Sequence, residues 1–171
     1  MNFQEKNIKI GQYTIIEEGA EIGNNVQIGN FCIIHSQVKI GANTIIRDYV
    51  ELRSETLIGE NCYIDSKVTS SGKCQIGNNV ILRYESIIAR GAEIGDHTFF
   101  SARVMMNNLD SDGQQIGGAK IGSNCFIGTN AVFQHGVKIG NNVTIGSMSF
   151  VNKDCDEGGT YFGIPAVKYK K

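Results

Sequence analysis

The side chains best suited to proton transfer, nucleophilic attack or metal binding in these 171 residues are three histidines and five cysteines. The histidines, His35, His97 and His135, lie far apart in sequence with no close pair. No Cys-x-x-Cys occurs among Cys32, Cys62, Cys74, Cys125 and Cys155. Neither set has the spacing of a zinc site, and no metal is expected. A polar stretch at about 107–117 (NNLDSDGQQIG) gathers Asn107, Asn108, Asp110 and Asp112. These amides and carboxylates suit a polar ligand but do not form a calcium-loop pattern. Arg47, Asp65 and Arg83 recur every 18 residues. They read either as a solvated charge ladder or as a lining for an anionic substrate, to which Arg is well matched.

What positions these groups is legible in the apolar residues. Ile is 24 and Val 11, against Leu 4 and Ala 8, an excess of β-branched residues that excludes a helical bundle. Stepping by six from Ile10 to Met106 meets an apolar residue at 16 of 17 positions, Ser70 being the exception. The register breaks over the polar stretch and resumes at Ile121, Ile127, Phe133, Ile139, Ile145 and Val151. Four places beyond the large residues, from Thr14 to Val104 and again from Cys125 to Cys155, stands Thr, Ala, Val, Cys or Ser. One large and one small inward residue per six fill a narrow, dry interior. All five cysteines occupy the small position and read as core filler without disulfides.

Gly follows the large residue eleven times, for example at Gly23, Gly41, Gly59, Gly77 and Gly95, where a positive φ at a corner is expected. Grouping the large positions in threes aligns Ile22, Ile40, Ile58, Ile76, Ile94, Ile121 and Ile139, each followed by Gly. Two places beyond each Gly stand Asn25, Asn43, Asn61, Asn79, His97, Asn124 and Asn142. This is an asparagine ladder at one corner, interrupted only by His97. The alignment holds across the break if the polar stretch is a loop inserted at a corner. An insertion in a repeat array usually sits on its working face. Tyr13, Phe31 and Tyr49 form a further outward column, read as a subunit interface or a platform for a base.

Charge and hydropathy add exclusions. Lys+Arg is 16 and Asp+Glu 17, which argues against a broad basic surface for nucleic acid. No run is long and apolar enough to span a membrane, and MNFQEKNIKIG has no signal-peptide core. The expected location is the cytoplasm, with reduced thiols.

The pattern [Ile/Leu/Val]-Gly-x-x-[small]-x over about 8–152 resembles hexapeptide-repeat proteins. That resemblance implies an all-β fold: a left-handed parallel β-helix of about 7–8 triangular coils. It divides the chain into a helix domain, 1–152, with a loop at about 107–117, and a C-terminal tail, 153–171. The tail leaves the pattern and is expected to fold back on the last coil or on a neighbouring subunit.

The second half is similar to acyl-CoA-dependent hexapeptide acyltransferases at Ile127-Gly128, Gly136-Val137, Ile145-Gly146, Ser149, Lys153-Asp154 and Gly163-Ile164-Pro165-Ala166. The resemblance implies acetyl-CoA or another acyl-CoA as co-substrate. It places the cofactor at Gly128, Ala131, Gly146, Ser149, Lys153 and Lys168, in a homotrimer with active sites between subunits. The run IGDHTFFSARVMMNN resembles enzymes that N-acylate nucleotide-linked amino sugars, and sets Asn108 at their active-site Asn. Ala89-Arg90-Gly91 and Leu109 stand where those enzymes often carry Tyr-Glu-Gly and Asp. The implied roles are His97 as base or orienter, Asn108 as acceptor orienter, and Arg83, Asn107 and Asp110 as substrate contacts. The alternative is an O-acetyltransferase acting on a sugar or small alcohol, although the loop lacks the His of galactoside-type enzymes. A metal-binding or non-catalytic solenoid is the third reading.

Overall fold

A computed structural model describes residues 6–169. The sequence-derived domain limits at residues 1 and 171 lie outside these residues. The chain winds as a left-handed parallel β-helix of about eight turns, with no helix among the described residues. Each turn lays down three two-residue strands, one on each face of a triangular prism. The first face begins with Lys9–Ile10, the second with Ile15–Ile16 and the third with Glu21–Ile22. Stacked turns form parallel sheets of ten, eight and seven strands, the first including two from the tail. Partners are 18 residues apart, as in Lys9↔Gln27. The separation becomes 27 across the loop, as in Phe99↔Phe126, so the insertion adds nine residues and leaves the stacking intact.

Two-residue strands follow from the six-residue period, which leaves the other four residues for a corner. The second residue of each strand is the large one. From Ile22 to Val151 it is buried throughout, with Phe100 and Phe133 filling the prism beside the loop. Ser70 occupies a large position without penalty, because its Oγ lies 2.7 Å from the Thr56 Oγ1 and accepts the Arg53 N–H at 3.2 Å. Small inward residues also bind carbonyls at the corners. The Thr44 hydroxyl donates to the Gly59 carbonyl at 3.0 Å and accepts the Cys62 N–H at 3.1 Å. The Cys62 thiol in turn donates to the Gly77 carbonyl at 3.1 Å. All five cysteines are free and buried, as expected of core filler.

The corners correct one expectation. The ladder does take positive φ, for example 59° at Asn25 and Asn43 and 59° at His97. Its amides bond from turn to turn, Asn25 Nδ2 to Asn43 Oδ1 at 3.1 Å. The glycine after the large residue does not have positive φ at any of its eleven positions. It is required by close approach instead. A Cβ on Gly41 would lie 2.5 Å from the Gly59 carbonyl carbon, and one on Gly59 2.6 Å from that of Gly77.

The tail closes the C-terminal end of the stack. Thr160–Phe162 pairs with Thr144–Ile145 on the first face, and Val167–Lys168 returns antiparallel on its outer edge. These two strands cover the open edge that the last turn of the first face would otherwise present.

Candidate functional site

The loop leaves the prism after Met105–Met106, at the corner between second and third faces, and rejoins at Lys120–Ile121. It is a short hairpin bridged at Leu109↔Gln115. The Asp110 Oδ1 accepts the N–H groups of Asp112 at 3.0 Å and Gln114 at 2.8 Å, so this carboxylate shapes the tip. The Asn108 carbonyl accepts the Ile116 N–H at 2.9 Å and the Gly117 N–H at 3.1 Å. The return arm is tied to the prism on both sides, Gly118 N–H to the Arg90 carbonyl at 2.8 Å and Gly136 N–H to the Gly117 carbonyl at 3.0 Å. The loop therefore presents a half-buried Asn108 and an exposed Asn107 on a fixed frame.

The expected site residues fall into separate groups. Asn107, Asn108 and Asp110 share the loop. His97 is exposed at the corner between third and first faces, at the far end of the strand Glu93–Ile94. A single chain does not bring His97 and Asn108 together. Arg83 lies at the remaining corner, its Nε 3.0 Å from Asp65 Oδ2. Of the Arg47–Asp65–Arg83 ladder only this rung forms an ion pair among the described residues.

Gly128 and Gly146 stack one turn apart at the corner between first and second faces, where a Cβ on Gly146 would meet the Phe162 Cβ at 2.7 Å. Ala131 and Ser149 point inward and are buried, and the Ser149 Oγ accepts the Gly163 N–H at 3.2 Å. These four positions have packing roles in the stack. Lys153 is exposed at the loop's own corner, on the turn after His135. Lys168 reaches from the first face to Asp156, at the corner that carries His97, with Nζ 3.2 Å from Oδ2. That bond raises the Lys168 pKa, so the ammonium is kept charged. Among the described residues no three His, Cys, Asp or Glu side chains converge on a point a metal could occupy.

Two groups beside the loop carry no site role in the sequence reading. His135 stands at the loop's corner one turn on, its Nε2 3.4 Å from the Gln134 side-chain nitrogen. Counting the 18-residue register through the nine-residue insertion finds it. Lys73, Arg90, Lys120 and Lys138 line a recess against the loop's return arm. The lysines of the KIG triplets at 120–122 and 138–140 were the available signal, since the residue before the large one faces outward.

The three faces differ in character. The third presents Glu21, Lys39, Leu57, Gln75, Glu93, Lys120 and Lys138, all but Leu57 polar or charged. The other two present Ile15, Ile33, Met105, Phe99 and Phe126, with the Phe99 and Phe126 rings stacked at 5.5 Å. At the corner between them Tyr13, Phe31 and Tyr49 stack with centroids 5.1 Å apart, and all three are more than 45% exposed. Stacked rings cover one another's planes and leave mainly edges outward, which favours the interface reading over a platform for a base.

The sequence matches the family described as bacterial transferase hexapeptide (six repeats) over residues 19–54 and 118–153. Among solved structures it is similar to LpxA from Acinetobacter baumannii, at 25% identity and TM-score 0.68, over 94% of this chain and 73% of that one. UDP-N-acetylglucosamine O-acyltransferase (LpxA) from Moraxella catarrhalis shares the fold at 20% identity and TM-score 0.63, over 94% of this chain and 73% of that one. So does AntD, an N-acyltransferase from Bacillus cereus solved with dTDP-4-amino-4,6-dideoxyglucose and coenzyme A, at 18% identity and TM-score 0.56, over 95% of this chain and 82% of that one. No curated protein matches the sequence.

Proposed function

We propose that this chain, an acyltransferase of the hexapeptide-repeat family, moves an acetyl or other acyl group from coenzyme A to the amino group of a nucleotide-linked amino sugar. The observation that carries the reading is how polarity is distributed around the prism. Mostly apolar first and second faces, with Lys9, Gln27, Glu51, Thr69 and Thr144 as their polar members, flank an aromatic corner, and the third face is mostly charged. Three copies joined through the apolar faces, with the aromatic corner at the axis, form a closed ring. Each cleft then lies between one copy's second face and the next copy's first face. Its mouth sets the loop and Lys153 of one copy opposite His97 and Lys168 of the next.

The chemistry asks for little from such a cleft. The acceptor nitrogen attacks the thioester carbonyl, a C–N bond forms, and the C–S bond breaks to release coenzyme A. His97 takes the ammonium proton of the attacking nitrogen, and the thiolate leaves with a proton from the same imidazolium. Backbone N–H groups or the Asn108 amide stabilise the oxyanion. Lys153 and Lys168 sit toward the C-terminal end, two turns or roughly 10 Å along the axis from the loop, and meet the phosphates of the cofactor there. Asn107 and Asp110, on the loop, are assigned to the acceptor, whereas Arg83, expected with them, lies at the corner that this ring turns to its axis. The cytoplasm suits both substrates and the five free thiols.

The second reading, a hydroxyl acceptor, is favoured by the likeness to LpxA at 25% identity. Thermal unfolding with acetyl-CoA, then turnover with nucleotide sugars bearing amino or hydroxyl groups, tests both. Stabilisation by acetyl-CoA and turnover only of amino sugars is expected. No stabilisation by any acyl-CoA would overturn the reading, and turnover only of hydroxyl acceptors would replace it with the second.

A further inference from the structure

Outside the cleft, against the return arm of the loop, the third face holds a recess of about 560 Å³. Lys73, Arg90, Lys120 and Lys138 line it, and no carboxylate does. The fourth wall is the arm itself, Gln115 to Gly118. Because the arm is bonded to Arg90 on one turn and to Gly136 on another, this wall is in place before any ligand arrives.

The charges are only half compensated. Lys120 pairs with Glu93, and the Arg90 guanidinium lies 3.7 Å from Glu55. Lys73 and Lys138 form no ion pair among the described residues. Gly72 leaves room for the guanidinium, since a Cβ there would lie 3.1 Å from the Arg90 Nη1. Two unpaired ammonium groups beside two paired cations, around a concave space walled by protein, leave a net positive potential there. A planar guanidinium with flexible ammonium groups beside it matches the oxygens of a phosphate.

We propose that this recess binds a phosphate group of a ligand other than the acyl donor, carried either by the acceptor or by a free phosphate ester. Anion binding here is independent of the acyltransferase reading; only the exclusion of the acyl donor rests on it. The bound phosphate bridges the turn of Arg90, the turn of Lys138 and the loop arm between them. It therefore fixes the frame that presents Asn108.

Calorimetric titration of the full chain with inorganic pyrophosphate, uridine diphosphate and thymidine diphosphate tests this. Pyrophosphate is expected to bind, more weakly as salt rises, and about fivefold or more weakly in the double variant Lys73→Gln, Lys138→Gln. Both lysines are exposed, so the variant should keep the wild-type melting temperature and its affinity for coenzyme A. Tighter binding of a nucleoside diphosphate than of pyrophosphate identifies the acceptor as the source, and equal binding identifies a free phosphate ester. Absence of pyrophosphate binding, equal binding by the variant, or competition by coenzyme A would each overturn the proposal. Wild-type chain that binds pyrophosphate but no acyl-CoA would sink the acyltransferase reading and leave the anion site standing.

Discussion

His97 and Asn108 stand at opposite ends of the third face, His97 beyond the strand Glu93–Ile94 and Asn108 in the loop that precedes Lys120–Ile121. In the proposed ring the base and the amide therefore come from different copies. His97→Ala and Asn108→Ala are each expected to lower kcat/KM by about 100-fold or more. Co-expressed in equal amounts, the two variants should regain about a quarter of wild-type activity, because random mixing gives that share of clefts both intact groups. Trimers of the two variants that regain nothing would show that the groups do not act across a subunit boundary.

The proposed ring rests on the apolar faces. Phe126 is 46% exposed and stacks on Phe99, and Phe31 sits in the middle of the aromatic column. A carboxylate buried in such an interface without a partner costs about 3 kcal/mol or more. Light scattering is expected to show the double variant Phe31→Glu, Phe126→Glu as a monomer with unchanged far-ultraviolet dichroism. Leu57→Glu, on the charged third face, should remain a trimer. Persistence of the trimer in the double variant would put the interface elsewhere.

The two corner positions make opposite demands, which substitutions separate. Asn43 has φ of 59°, so Asn43→Gly keeps the backbone and loses only the ladder bonds, a change of about 1 kcal/mol or less. Gly41 has no positive φ but no room for a Cβ, so Gly41→Asn should cost about 1–3 kcal/mol, as Gly41→Ala does. Melting temperatures of the three variants decide the matter. If Gly41→Asn is tolerated while Gly41→Ala is not, backbone conformation governs the position after all.

Much of this fold could be read from residue type and spacing, because a six-residue period over 23 large positions repeats one local decision many times. Ile22 and Asn25 declare their places through their columns. The reason for Gly41 was misread, since close approach of two turns is a relation between residues 18 apart and leaves no mark in the hexad itself. The site was less legible. His97 drew notice by interrupting the ladder, but its distance from the loop depends on which corner the insertion occupies. Lys73 and Lys138 looked like ordinary solvent-facing residues of a repeat. Only the arm of the loop, lying between their turns, makes them walls of one recess.

The buried thiols give the chain a defined response to alkali. Burial, with the charges of Asp154 and Asp156 behind it, pushes the Cys155 thiol up to about 11. Burial likewise raises Cys32, Cys62, Cys74 and Cys125. In the unfolded chain a thiol ionises near ~8.5. Between that value and 11 the unfolded state gives up a proton that the folded state keeps, so stability falls as pH rises. The contribution of Cys155 is complete below the unfolded value and is lost as pH passes through the folded one. The melting temperature should therefore drop above pH ~9, and less steeply in Cys155→Ala, whose difference from wild type isolates this thiol from lysine and tyrosine. At pH ~8 a thiol-specific disulfide reagent should leave the native chain unlabelled for minutes and label every cysteine in urea. Rapid labelling of native Cys155 would mean that the last turn opens readily and that the tail strands Thr160–Phe162 and Val167–Lys168 do not seal the end of the prism.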